Sequence, residues 1–169
     1  MNLHSFSTAL LSVFFAASTF ALAPGERVDN FRLLDETGSS HELYYFSDTK
    51  AFVLMAHNSS CQSMQESVEA LASMQASYAD QGVEFMLINS DLRDDRSTIQ
   101  ALVADQNIAA PVLMDSTQII GESLGAMSAG DTVVIDPSNW QVAYLGGAQN
   151  ASQAVASLVK GQSPQMTLD

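Results

Sequence analysis

Apolar and polar positions fall into blocks along this chain, and the spacing within each block predicts its conformation. Residues 51–57 and 83–89 are nearly continuous apolar runs of strand length, the pattern of strands buried on both faces of a sheet. Between them Met64, Val68, Leu71, Met74 and Tyr78 recur at three- and four-residue steps. That spacing predicts a helix from about residue 62 to 81 with one apolar face, stopped by Gly82. Ahead of these elements, residues 31–35 and 40–44 read as two strands joined by the turn Glu36-Thr37-Gly38-Ser39, a hairpin. Behind them come a charged loop over residues 90–96, a helix over 97–105 and a short strand over 111–114. A short helix over 118–124 follows, stopped by Gly125, then a hairpin of strands 132–136 and 141–145 about Pro137-Ser138-Asn139. Gly146-Gly147 breaks the last strand, and Asn150 caps a closing helix over 151–160.

Before the hairpin the pattern changes character. Residues 9–20 are apolar and end in Ala21-Leu22-Ala23, a small-x-small sequence of the kind signal peptidases cleave, after an apolar stretch too short for a comfortable membrane span. Residues 1–23 are read as a secretory signal, with cleavage after Ala21 or Ala23. Residues 24–160 are read as one domain and residues 161–169 as a loose polar tail. No later run is long enough to span a bilayer once the signal is removed. Composition narrows the partners. With 19 Asp and Glu against 6 Lys and Arg, the net charge is −13, which excludes nucleic acid and anionic membrane surfaces as natural partners. Localisation is expected to be export, into a bacterial periplasm, where thiols meet an oxidising compartment.

The chemistry then rests on a single cysteine, Cys61, in Ala56-His57-Asn58-Ser59-Ser60-Cys61-Gln62-Ser63-Met64. It lies where the first central strand hands over to a helix, a setting that activates thiols. No intramolecular disulfide is possible. The element order, a hairpin followed by β-α-β-α-β-α-β-β-α, predicts an α/β fold built as a three-layer sandwich around a mixed central sheet. The closing antiparallel hairpin and helix, with a reactive position after the first central strand, make the prediction thioredoxin-like.

The ordered motifs resemble the redoxin branch of the thioredoxin-like superfamily, which holds the alkyl hydroperoxide reductase/thiol-specific antioxidant (AhpC/TSA) and TlpA-like proteins. Pro24-Gly25-Glu26-Arg27-Val28-Asp29-Asn30-Phe31-Arg32-Leu33-Leu34-Asp35 looks like that branch's opening. Gly82-Val83-Glu84-Phe85-Met86-Leu87-Ile88-Asn89-Ser90-Asp91, Pro111-Val112-Leu113-Met114-Asp115 and Val133-Val134-Ile135-Asp136-Pro137 look like its later signatures. The resemblance implies Cys61 as the catalytic residue, Asn58, Ser59, Ser60 and Gln62 lining its mouth, and Gly130 and Asp131 facing it. The sequence also departs from the family. Met64 stands where thioredoxins carry a second cysteine, Asn58 where peroxiredoxins carry threonine, and Gly130 where the superfamily carries a cis-proline. Arg93 and Arg96 lie in the wrong loop for the peroxiredoxin arginine.

Three readings of the site follow. The first is thiol-based reduction of a peroxide or disulfide, with no cofactor and with an external thiol reductant or a partner protein's thiol completing the cycle. The second is Cu(I) held by Cys61, Met64 and His57, since soft sulfur ligands suit that ion; against it, Met64 also fits core packing, and His57 fits a strand-end residue bonded to backbone. The third is a non-catalytic binding module on a retained fold. Elsewhere His41 reads as a surface residue. Asp91, Asp94 and Asp95 read as a solvated loop, and Trp140 and Tyr144 as structural. The sequons at Asn58 and Asn150 serve better as turn or cap residues.

Overall fold

The computed structural model describes residues 22–61, 64–126 and 128–163. Most of the expected signal segment, Gln62 at the site and the end of the tail therefore lie outside the described residues. The apolar runs form β3 (Ala51–His57) and β4 (Val83–Asn89), at the centre of a five-stranded sheet of order β5-β4-β3-β6-β7. Strands β3, β4 and β5 (Val112–Met114) run parallel. Strand β6 (Asp131–Asp136) pairs antiparallel with β3, and β7 (Gln141–Gly147) antiparallel with β6. All seven residues of β3 are buried, as a strand covered on both faces requires.

Alternation along β3 divides the core. Ala51, Val53 and Met55 face Leu71 and Met74 of α1 (Met64–Tyr78), Ile99 of α2 (Arg96–Gln106), and Ala151 and Val155 of α4 (Ala148–Val159). Phe52, Leu54 and Ala56 face Phe31, Leu43 and Leu124, the last from α3 (Ile119–Leu124). The three layers are thus three helices, the sheet, and α3 with the N-terminal hairpin. That hairpin, β1 (Arg32–Leu34) and β2 (Ser40–Glu42), forms its own two-stranded sheet, tied to β5 by an isolated bridge between Asp35 and Leu113.

Several boundaries differ from the periodicity, each for a local reason. The second hairpin strand stops at Glu42, because residues Leu43–Phe46 turn into a 3₁₀ helix that buries Leu43 in the core. The long helix ends at Tyr78 and tightens to 3₁₀ over Ala79–Gln81 before Gly82, whose φ of 84° needs glycine. Helix α2 starts one residue early because Asp95 caps it, its carboxylate accepting from the Thr98 amide at 2.8 Å. Gly146 and Gly147 continue β7 and pair with Thr132 and Asp131. Helix α4 therefore begins at Ala148, and Asn150 lies inside its first turn instead of capping it. Trp140 and Tyr144 are structural: Trp140 stacks on Tyr44 with ring centroids 4.4 Å apart, and the Tyr144 hydroxyl donates to the Gly147 carbonyl at 2.8 Å.

His41 is not the surface residue its position predicted. Its Nε2 lies 2.7 Å from Asp35 Oδ2, and its side chain is only 19% exposed. Burial alone would raise the Asp35 carboxyl, but hydrogen bonds from His41, Thr37 and Ser39 outweigh it and hold the group below the usual range. A depressed carboxyl stabilises the fold above its unfolded value, about 3.9. Acid unfolding should therefore show a loss of stability as pH falls from about 4 through the folded value, and Asp35→Asn should flatten that part of a urea-midpoint-against-pH curve.

Candidate functional site

Strands β3 and β4 pair in parallel so that their final residues, His57 and Asn89, stand side by side. Their side chains start a polar network at the carboxyl ends of the central strands, where open α/β sheets place ligands. The Asn89 amide nitrogen donates to Asp94 Oδ2 at 2.7 Å and makes a longer 3.4 Å contact with His57 Nδ1. Its oxygen accepts the Asp91 amide at 2.9 Å, which fixes the side-chain orientation. Asp94 Oδ1 accepts the Ser59 hydroxyl at 2.6 Å. A chain of bonds thus runs from His57 through Asn89 and Asp94 to Ser59, two residues before Cys61.

A second set of bonds reinforces the first. Asn58 Oδ1 accepts the Ser60 amide at 2.9 Å, closing a local turn, and the Asn58 amide lies beside the Asp91 carboxylate and helps to hold it low. Arg93 holds Asp91 through Nε at 2.9 Å and Nη2 at 2.6 Å. Hydrogen bonding from Arg93 is the main reason the Asp91 carboxyl falls to about 2. The charged loop is solvated, as expected, with Leu92, Arg93 and Asp95 exposed, and it also clasps the cysteine loop. Asp91 binds Arg93, Asp94 binds Ser59 and Asn89, and Asp95 caps α2. Arg93 reaches this clasp, although its loop is not the one that carries the peroxiredoxin arginine.

Cys61 is half-buried and packs against the core cluster that contains Met64. Its amide donates to the Asn58 carbonyl at 3.2 Å, and its carbonyl accepts the Met64 amide at 3.2 Å. Met64 is the first described residue of α1 and is 4% exposed, so it fills the core as its place in the apolar stripe predicts. The Ser59 hydroxyl is spent on Asp94, and the Ser60 amide on Asn58. His57 is buried, and burial pulls its imidazole below the usual range against the opposing pull of the Asp94 carboxylate. With Nδ1 facing the Asn89 amide donor, the neutral ring carries its proton on Nε2. Its partner is a side chain and not the backbone. An NMR titration should place the His57 midpoint below about 6.5, the ordinary histidine value. A depressed histidine stabilises the fold above that value, and this contribution is lost as pH falls below it.

Gly130 sits immediately before β6 with φ 91°, and its amide donates to the Ala56 carbonyl at 2.8 Å. A Cβ there would lie 2.6 Å from Ser67 Oγ on α1. The position expected to carry a cis-proline therefore needs both an N–H and the absence of a side chain, and no cis peptide occurs among the described residues. The Asp131 carboxylate accepts the Ser128 amide at 2.8 Å and closes its own loop. Beside this loop, a pocket of about 280 Å³ opens between the ends of β3 and β4 and α3. Among the described residues, no group of three His, Cys, Asp or Glu side chains converges as a metal centre.

Asn89 and Asp94 were not legible as site residues, since each reads alone as an ordinary loop polar group. The available signal was that both central strands end in a polar residue after an apolar run, which in parallel pairing brings the two ends together.

No curated protein matches the chain. Solved structures share its fold. A hypothetical protein from Sinorhizobium meliloti 1021 superposes with a TM-score of 0.77 at 23% identity, over 88% of this chain and 90% of that one. Peroxidoxin BcpB from Mycobacterium tuberculosis gives 0.69 at 18% identity, over 84% and 99%. A thiol:disulfide interchange protein from Bacteroides sp. gives 0.69 at 15%, over 84% and 93%. The fold is thioredoxin-like, as the element order predicts. The AhpC/TSA family model matches residues 24–143, most of the sequence, and the chain belongs to the AhpC/TSA family.

Proposed function

We propose that this chain is an exported single-cysteine redoxin in which Cys61 is the reacting residue. The observation that carries the reading is the polar clasp through Asp94 that holds the cysteine loop at the carboxyl ends of the central strands. A retained fold with no use for its thiol has no need of that arrangement. Export rests on the apolar segment of residues 9–20 and its small-x-small end. Among the described residues no helix is long and apolar enough to cross a membrane.

The chemistry balances with one cysteine only if a second thiol comes from outside. Attack of the Cys61 thiolate on a disulfide forms one S–S bond, breaks another, and expels a thiolate that takes up a proton. Attack on a peroxide forms an S–O bond and breaks O–O, leaving a sulfenic acid and an alcohol or water. An external thiol condenses with the sulfenic acid, releasing water and giving a mixed disulfide; a further thiol then displaces Cys61. Asn58, at the offset of the peroxiredoxin threonine, has its side-chain oxygen committed to Ser60 and its amide beside the Asp91 carboxylate. A disulfide substrate needs no such polarising donor, so disulfide exchange is the favoured half of the proposal.

The test is turnover of hydrogen peroxide and of a small disulfide by the full chain, with a monothiol reductant. Disulfide turnover should exceed the rate without protein and vanish in Cys61→Ser; equal rates with and without protein would refute the enzyme. A second reading, Cu(I) held by Cys61, Met64 and His57, rests on Cys61 packing against the cluster that contains Met64. Titration against a competing chelator should then show one site, lost in Cys61→Ser and weakened in Met64→Leu, whereas equal affinity in both variants would exclude it.

A further inference from the structure

The pocket beside α3 has an uneven chemical lining. Ala56, Ile88 and Ala126 supply its apolar wall, Asn58, Ser90 and Gln118 line it as neutral polar residues, His57 brings an imidazole that burial keeps neutral, and Asp91 and Glu122 bring two carboxylates. No lysine or arginine lines it. The carboxylates are not equivalent. Asp91 is paired with Arg93, so its charge is matched. Glu122 is solvent-exposed at the pocket mouth, and its carboxylate has no hydrogen-bond or ion-pair partner among the described residues. The Gln118 side chain is turned inward on the Ser90 carbonyl at 2.9 Å, and Gln118 itself adopts φ 63°. The first turn of α3 is drawn against the sheet at Gly121, where Asp115 accepts the Gly121 amide at 2.9 Å and a Cβ would lie 2.7 Å from Ser90 Oγ. The wall that carries Glu122 is therefore fixed.

We propose that this pocket binds a small amphipathic ligand carrying a protonated amine, with Glu122 as its anionic anchor and the Ala56–Ile88–Ala126 wall receiving its apolar part. The volume corresponds to about nine water volumes, so the ligand is a short one. The sign of its charge follows from the lining: an anionic ligand would meet one unmatched carboxylate and no lining cation, within a chain of net charge −13. The pocket adjoins the cysteine site, sharing His57, Asn58 and Asp91 with it, but Cys61 itself is not among its lining residues.

The probes are pentylamine, pentanol and pentanoate, which differ in charge on a common tail. They are added to the ¹⁵N-labelled full chain carrying Cys61→Ser, so that a failed redox reading cannot mask binding. Pentylamine should produce saturable amide shifts centred on Gly121, Glu122 and Ser128, and pentanoate should produce none. Glu122→Gln should weaken pentylamine by about fivefold, the upper range for a solvent-accessible ion pair, while Glu69→Gln on α1 should leave it unchanged. An unaltered spectrum away from α3 shows that each variant is folded. Shifts that fail to saturate, that spread over the acidic surface, that are matched by pentanol or pentanoate, or that survive Glu122→Gln undiminished would each overturn the assignment.

Discussion

Gly130→Pro, which restores the residue type usual at this place in thioredoxin-like proteins, is expected to destabilise this protein severely. Three costs coincide at the position. Proline fixes φ near −65° while Gly130 needs 91°. Its nitrogen has no hydrogen to donate to Ala56, which accepts at 2.8 Å. Its ring would enter space that even a Cβ enters at 2.6 Å from Ser67 Oγ. A misplaced proline costs about 3 kcal/mol or more, against a total stability of roughly 5–15 kcal/mol for a domain. Urea unfolding should show a large drop in midpoint. Gly130→Ala separates the contributions: measured against Ser67→Gly as the parent, where the steric conflict is gone, it should cost only the backbone term of about 1–2 kcal/mol. If Gly130→Pro unfolds at the parental midpoint, the loop before β6 does not have the conformation described.

Asp94→Ala is expected to give the second-largest effect, and it tests the clasp directly. The carboxylate accepts from Ser59 at 2.6 Å and from Asn89 at 2.7 Å, and a hydrogen bond to a charged group contributes about 1.5–3 kcal/mol. Removing both partners at once loosens the cysteine loop and also deprives Asn89 of the acceptor that holds it over His57. The prediction is a loss of about 1.5–3 kcal/mol in unfolding free energy, with Cys61 reactivity falling while α-helical content is retained. Ser59→Ala breaks only one arm and should produce a smaller loss of both. A stability loss with unchanged Cys61 reactivity would leave Asp94 a structural residue with no part in the site.

The parts of the fold that were legible in the sequence are those set by burial. The two seven-residue strands follow from apolar runs, and the inner face of α1 from Leu71 and Met74. What the periodicity missed depends on pairing between distant segments. Gly146 and Gly147 read as a break but stay in β7 because β6 supplies partners for them. His41 reads as exposed but is drawn in by Asp35, six residues away across the hairpin turn. At the site, Cys61 and its loop were legible because a strand-to-helix junction is a local event. The Asp94 clasp was not, because it depends on the register that aligns His57 with Asn89. Gly130 lay between the two cases: its place in the order was readable, but its need for glycine appears only against Ser67.

The central claim is that Cys61 is a reactive thiol and not a semi-buried relic. The most direct measurement compares the rate at which Cys61 opens 2,2′-dipyridyl disulfide in the folded chain with the rate in the same chain unfolded in urea, at one pH, by following the pyridinethione released. The account predicts a faster reaction in the folded state and a fall toward the unfolded rate in Asp94→Ala. A folded-state rate equal to or slower than that of the unfolded chain would contradict it.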